Sequence, residues 1–221
     1  MCARHLTVIL AAGDFPTAPS PLALLDAADE LVCCDGAADA LLRYGREPDF
    51  VVGDLDSLSE RTRERLSGRL VRVEEQETND LAKAFRFCRS RGRGRIVILG
   101  ATGKREDHTL GNLAHLVDFA EEIPGIEIAT DHGVFSVALR SGEFRSFPGE
   151  RLSFFAVDPE TTVTSAGLKY PMRELRLRRW WQATLNEALA DTFSLNFTPG
   201  SRLLIYRVFR GEAEETCAAR G

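Results

Sequence analysis

Apolar positions follow two different rhythms along this chain. In the first half, short β-branched or leucine-rich runs alternate with stretches whose apolar residues recur every three to four positions. The runs at 5–11, 31–34, 50–53, 70–73, 95–99 and 126–130 read as strands. Between them, Ser20 and Pro21 are placed to cap and open a helix reaching about Ala28. Further helices are predicted over 36–44 and from Ser59 to Leu66. Thr78 is the expected cap of the next, with Leu81, Ala84, Phe85 and Cys88 on one face. A last one carries Leu110, Leu113, Ala114 and Val117 at the same spacing. Strand and helix in regular alternation predict a Rossmann-like parallel sheet with helices on both faces.

Beyond about residue 131 the period shortens to two. Strands are predicted at 134–139, 151–156, 161–165, 192–197 and 203–209, separated by Ser141-Gly142, Pro148-Gly149 and Pro199-Gly200. One short helix is expected around Trp180 to Leu189. The second half therefore reads as a smaller antiparallel β-sandwich. The expected division is an α/β domain over 1–140 and a β domain over 145–215, with a polar, frayed tail after Gly211.

Composition narrows the function. At 221 residues with 44% hydrophobic content the chain can bury a full core without a disulfide or metal staple. A net charge of −5 argues against a general nucleic-acid binder. Cys2, Cys33, Cys34, Cys88 and Cys217 are odd in number and form no metal-type pair, which points to reduced thiols. No apolar run approaches ~18 residues and no leader pattern opens the sequence, so a soluble, cytoplasmic protein without a membrane span is expected.

The chemistry collects where strands of an open α/β sheet end, since ligands bind there. Asp35-Gly36 follows the second strand, and Asp54 and Asp56 follow the third. Gln76, Thr78 and Asp80 follow the fourth, and Gly103, Lys104, Arg105, Asp107 and His108 the fifth. Carboxylates converging alone would repel one another and resist ionisation. Mg²⁺ resolves the repulsion, binding one or two of them and filling its shell with water and phosphate oxygens. Lys104 and Arg105 precede a helix start, where free N–H groups favour anions. Carboxylates for metal beside cations at a helix start suit a nucleotide phosphate chain.

Each piece alone has a plainer reading. A single aspartate after a strand is more often a turn residue or cap. Asp80 would serve the helix dipole with no catalytic role, and His108 could be a structural hydrogen-bonder. The stretch before Lys104 is too short for a P-loop. Four crossings converging on one sheet edge outweigh those readings.

Gly53-Asp54-Leu55-Asp56-Ser57, Gln76-Glu77-Thr78-Asn79-Asp80 and Arg105-Glu106-Asp107-His108 resemble the successive motifs of the thiamine pyrophosphokinase family. Asp35-Gly36-Ala37-Ala38 is similar to its Asp-Gly-Gly-Ala element. Gly167-Leu168-Lys169-Tyr170-Pro171 resembles its second-domain signature. Thr184-Leu185-Asn186-Glu187 stands at its Ser-Asn-Glu, with Leu185 in place of the serine. The resemblance implies a homodimeric, Mg²⁺-dependent transfer of diphosphate from ATP to thiamine, with AMP released, in a cleft shared between domains and subunits. It implies Asp54, Asp56 and Asp80 as metal ligands. Asp35, Gly36, Gln76, Thr78, Gly103, Lys104, Arg105 and Asp107 would handle the nucleotide, and Asn186 would read thiamine. Asp107 or His108 is the candidate general base, unless metal proximity suffices.

Two other classes remain open on the sequence. A diphosphokinase for another heterocyclic alcohol, such as a hydroxymethylpterin, would keep the aspartates and differ in the β domain. A regulatory nucleotide-binding module would bind ATP without releasing AMP. Trp180-Trp181 reads either as a core or interface anchor or as a stacking platform for the thiamine rings.

Overall fold

The structure, a computed structural model, describes residues 5–210. Cys2, Cys217 and the tail after Gly211 lie outside them. The chain forms two compact units that divide after Asp131. The expected boundary at 140–145 would have left the strand beginning at Gly133 with the first unit; it goes with the second.

In the first unit, β1 (Thr7–Leu10), β2 (Glu30–Cys34), β3 (Phe50–Gly53), β4 (Leu70–Arg72), β5 (Ile96–Leu99) and β6 (Glu127–Ala129) are all parallel. Their order is β6-β5-β1-β2-β3-β4, so the chain works outward from β1 and then returns to its other side. Between β1 and β5 the direction of winding reverses, which opens a crevice beyond the strand ends. β1, β2 and β5 are buried along their whole length, as continuous apolar runs in a covered parallel sheet should be.

Five helices connect these strands: α1 (Pro19–Asp26), α2 (Ala37–Tyr44), α3 (Glu60–Arg65), α4 (Asp80–Ser90) and α5 (Glu106–Glu122). α4 packs across β1, β2 and β3, while α5 lies against β6. Phe85 of α4 and Phe119 of α5 stack with ring centroids 3.9 Å apart. Among the described residues no helix is long and apolar enough to cross a membrane.

Three local expectations in this unit are corrected. The cap of α1 is Ala18, with no side-chain bond of its own; Ser20 lies inside the helix. The Asp131 carboxylate instead accepts from the Thr17 and Ala18 N–H groups at 2.9 and 3.1 Å. The cap of α4 is Asn79, whose Oδ1 accepts from Ala82 N at 3.0 Å, because Thr78 bonds Glu75 and Arg86. The buried stripe of α5 is Asn112, Leu116, Val117, Phe119 and Ala120; of the expected face Val117 is buried and Leu113 half-buried, while Leu110 and Ala114 are exposed. A polar residue at the stripe's start shifted its phase.

The second unit is two four-stranded antiparallel sheets. β7 (Gly133–Ala138), β9 (Arg151–Ala156), β12 (Ala183–Glu187) and β14 (Leu203–Val208) form one, in the order β12-β9-β14-β7. β8 (Gly142–Arg145), β10 (Thr162–Ala166), β11 (Leu175–Arg176) and β13 (Thr192–Phe197) form the other, in the order β11-β10-β13-β8. Alternate residues Leu152, Phe154 and Ala156 of β9 and Phe193, Leu195 and Phe197 of β13 fill one core. Each large side chain buried there contributes roughly 2 kcal/mol.

The helix expected around Trp180 to Leu189 is absent. That segment is β12, paired antiparallel with β9 through a bulge between Ala183 and Asn186. β8 and β11 also lie where loops were read, since each is short and mostly polar.

Candidate functional site

β2 and β3 end side by side, and their loops bring the first carboxylates together. Asp35 follows β2 with φ of +35°, a left-handed backbone held by its N–H bonding Val52 O at 3.1 Å. Its side chain is enclosed: Oδ2 accepts from Ser57 N at 3.1 Å, while Oδ1 has no hydrogen-bond partner. Burial raises the Asp35 pKa against the opposing Ser57 bonds, and the charges of Asp80 and Asp54 raise it further. Asp54 differs. The Asp56 N–H donated to its Oδ1 at 3.1 Å lowers its pKa most; partial desolvation opposes, and Lys83, Gln76 and Asp35 add to the lowering.

Gly53 lets these groups meet. A Cβ there would stand 3.0 Å from the Asp35 Cβ and 3.3 Å from the Asp80 Oδ1. Asp80 opens α4, one residue after the Asn79 cap. One helical turn on, Lys83 Nζ lies 3.1 Å from Asp80 Oδ1.

The cation-bearing loop is fastened to the loop after β1. Gly13 N–H bonds Gly100 O at 2.7 Å, and Asp14 N–H bonds Thr102 O at 2.9 Å. Gly103 has φ of +81°, and any side chain there would collide with the Asp14 carboxylate. Lys104, also left-handed at +58°, donates from Nζ to Ala12 O at 2.7 Å. Arg105 forks onto Asp107 with bonds of 3.1 and 2.5 Å. That fork holds the Asp107 carboxyl below its usual range, aided by the His108 N–H.

These elements enclose a cleft of about 420 Å³. Asp54, Gln76, Thr78, Asp80, Gly103, Lys104, Arg105 and His108 line it, as the sequence suggested. Asp35 sits buried behind Asp54 and outside the lining, and Gly36 serves as the N-cap of α2. Asp56 and Asp107 are exposed and also outside the lining. Sequence reasoning missed Lys83 and Asn112. The signal for Lys83 was a lysine three residues after a metal-type aspartate. For Asn112 it was an amide on the helix directly following the cation loop.

Asn186 belongs to the second unit. Its side chain is buried and clasps Tyr170 from both sides: Oδ1 accepts from Tyr170 N–H at 3.1 Å, and Nδ2 donates to Tyr170 O at 2.8 Å. Leu185 beside it is exposed with φ of +59°, a strained conformation for a branched residue. Its N–H is held by Ser153 Oγ at 3.1 Å. Trp180 and Trp181 are both exposed, and Trp180 meets Phe155 edge-on. Core anchoring is therefore excluded for them within this chain.

Among the described residues no three acidic, histidine or cysteine side chains already form a metal-holding group. Mg²⁺ does not require one, because it binds through one or two carboxylates and completes its shell with water and phosphate. Asp54 and Asp80 in the cleft wall meet that need, and the partnerless Asp35 Oδ1 behind them marks excess negative charge. The residues fit a magnesium site.

Comparison with known proteins identifies the family. Residues 22–128 match the family model described as thiamin pyrophosphokinase, catalytic domain. Residues 133–206 match thiamin pyrophosphokinase, substrate-binding domain. A thiamin pyrophosphokinase of Caenorhabditis elegans is 28% identical over 210 residues, covering 87% of this chain and 85% of that protein. The crystal structure of thiamin pyrophosphokinase from Geobacillus thermodenitrificans superposes with a TM-score of 0.75 at 25% identity, over 94% of this chain and 99% of that one. The Candida albicans enzyme shares the fold at a TM-score of 0.76 and 16% identity, over 93% of this chain and 90% of that one.

Proposed function

The chain belongs to the thiamin pyrophosphokinase family, and from that premise we propose that it transfers diphosphate from ATP to the hydroxyl of thiamine, releasing AMP and thiamine diphosphate. The observation carrying this reading is one cleft that joins the acceptor-only carboxylates of Asp54 and Asp80 to Lys104 and Arg105 at the start of α5.

In this reading Asp54 and Asp80 would hold Mg²⁺, with Asp56 as a further, exposed carboxylate near it. The ion supplies charge neutralisation for the transferred phosphates. Arg105 and Lys104 grip the phosphate chain after letting go of Asp107 and Ala12. The Arg105–Asp107 ion pair is exposed and screened by water, so a phosphate can displace it. Free N–H groups in the first turn of α5 add to the anion site. Gln76 and Thr78 orient the nucleotide from the opposite wall.

Of the two candidate bases, His108 lines the cleft, whereas Asp107 is exposed and lies outside the lining. The thiamine hydroxyl proton is therefore assigned to His108 as the oxygen attacks the β-phosphorus. Positioning and charge stabilisation supply most of the rate. Asn186 acts by fixing the Tyr170 loop that meets thiamine. A cytoplasmic homodimer completes the reading.

The test is AMP release from Mg²⁺-ATP with thiamine, with a hydroxymethylpterin, and with no acceptor. Thiamine-dependent AMP is expected. Release with the pterin alone would move the assignment to another diphosphokinase, and ATP binding without AMP would leave a nucleotide-binding module.

A further inference from the structure

The cleft floor holds a cation that the reaction as described does not use. Lys83 is a lysine with only 2% of its side chain exposed, deeper than Asp80, whose side chain is 34% exposed. Burying an ammonium is costly unless it is paired. Its pair is Asp80 Oδ1 at 3.1 Å, the same oxygen that lies against Gly53. Its charge also reaches Asp54, and Asp35 stands next to both aspartates.

Lys104 and Arg105 sit on an exposed loop and can swing to a phosphate. Lys83 cannot move in that way. It is three residues along a rigid helix from its partner and is enclosed on its other sides.

We propose that Lys83 is a positioning residue: a built-in cation that holds Asp80 and Asp54 converged before metal and nucleotide arrive, and that limits how tightly the site grips a divalent ion. Lys83 places one buried positive charge among Asp35, Asp54 and Asp80 and so weakens the field that a divalent cation meets there. A site without Lys83 over-attracts the metal while letting Asp80 swing out of line. This rests on reading the cleft as a magnesium–nucleotide site.

The experiment is calorimetric titration of Mn²⁺, as a spectroscopically useful substitute for Mg²⁺, into the full-length wild-type, Lys83→Met and Lys83→Gln proteins, each checked for fold by circular dichroism. Turnover is then measured at saturating metal. Removing one buried charge beside the ion is expected to tighten Mn²⁺ binding at least about tenfold, while turnover at saturating metal falls about tenfold or more. Lys83→Gln retains a donor for Asp80, so it should show the same tightening with a smaller loss of turnover. Loosened or unchanged Mn²⁺ affinity in folded variants overturns the proposal. So does a raised KM for ATP with metal affinity unchanged, which would make Lys83 a direct phosphate contact. If neither variant folds, a double variant with Asp80→Asn decides: recovery of the fold supports the pair, and no recovery rejects it. Absence of Mn²⁺ binding by the wild-type protein would instead sink the magnesium reading itself.

Discussion

Asn79 donates from Nδ2 to Asn112 Oδ1 at 3.0 Å, joining the cap of the helix that carries Asp80 to the helix that follows Arg105. Both amides are otherwise engaged with backbone. Asn79 Oδ1 caps α4 at Ala82 N, and Asn112 Nδ2 donates to Ala101 O at 2.8 Å. The carboxylate wall and the Lys104–Arg105 wall of the cleft are thereby held in one frame.

Asn112→Ala should therefore lower both stability and turnover. It leaves a buried carbonyl and an amide without partners, a loss of about 1–3 kcal/mol. Denaturant melts and steady-state kinetics on the same preparation check this. Unchanged turnover in a destabilised variant would show that the bond serves folding alone.

Asp54 and Asp56 should separate sharply. Asp54→Asn removes a carboxylate from the cleft wall and is expected to reduce turnover at least ~100-fold, in line with losing an electrostatic contact in the transition state. Asp56 is exposed, outside the lining, and serves Asp54 through its backbone N–H, which substitution leaves in place. Asp56→Asn should cost less than about tenfold. Equal losses in the two variants would return Asp56 to the metal's inner shell.

Asn186→Ala should raise the KM for thiamine and leave that for ATP unchanged. The amide holds both backbone groups of Tyr170, so its loss frees a loop of the second unit while the nucleotide cleft lies in the first. A parallel rise in both constants would indicate general unfolding instead.

Away from the cleft, Glu30 anchors the start of β2. It is buried and accepts from Arg93 at 2.7 and 2.8 Å and from Arg91 at 3.3 Å. The Arg93 bonds are the largest cause of its lowered pKa, against opposing desolvation. A carboxyl with a depressed folded-state pKa stabilises the fold above its unfolded value near 4.5 and loses that contribution as pH falls through the folded value. Below about pH 4.5 the wild-type protein should therefore lose stability that Glu30→Gln already lacks at neutral pH. Urea midpoints at pH 7 and pH 4 should converge between the two, and a constant gap would refute the linkage.

The residues alone determined the strand–helix alternation and the collection of carboxylates and cations on one sheet edge. They did so because periodicity and strand ends are local properties: β3 runs from Phe50 to Gly53 as read, and eight of the thirteen chosen residues line the cleft. The Asp-x-Asp pair, read as two equal ligands, was not settled locally, since only the fold turns Asp54 inward and leaves Asp56 outside. Trp180 to Leu189 read as a helix because its side chains fit either period; pairing with β9 made it a strand. The bonds from Asp131 to Thr17 and Ala18 just ahead of α1, more than a hundred residues away, have no local trace in the sequence. Lys83 carries no local mark of burial in the sequence. Its burial against Asp80 depends on how α4 packs across β1–β3, and long-range packing of that kind is decided only when the whole chain has folded.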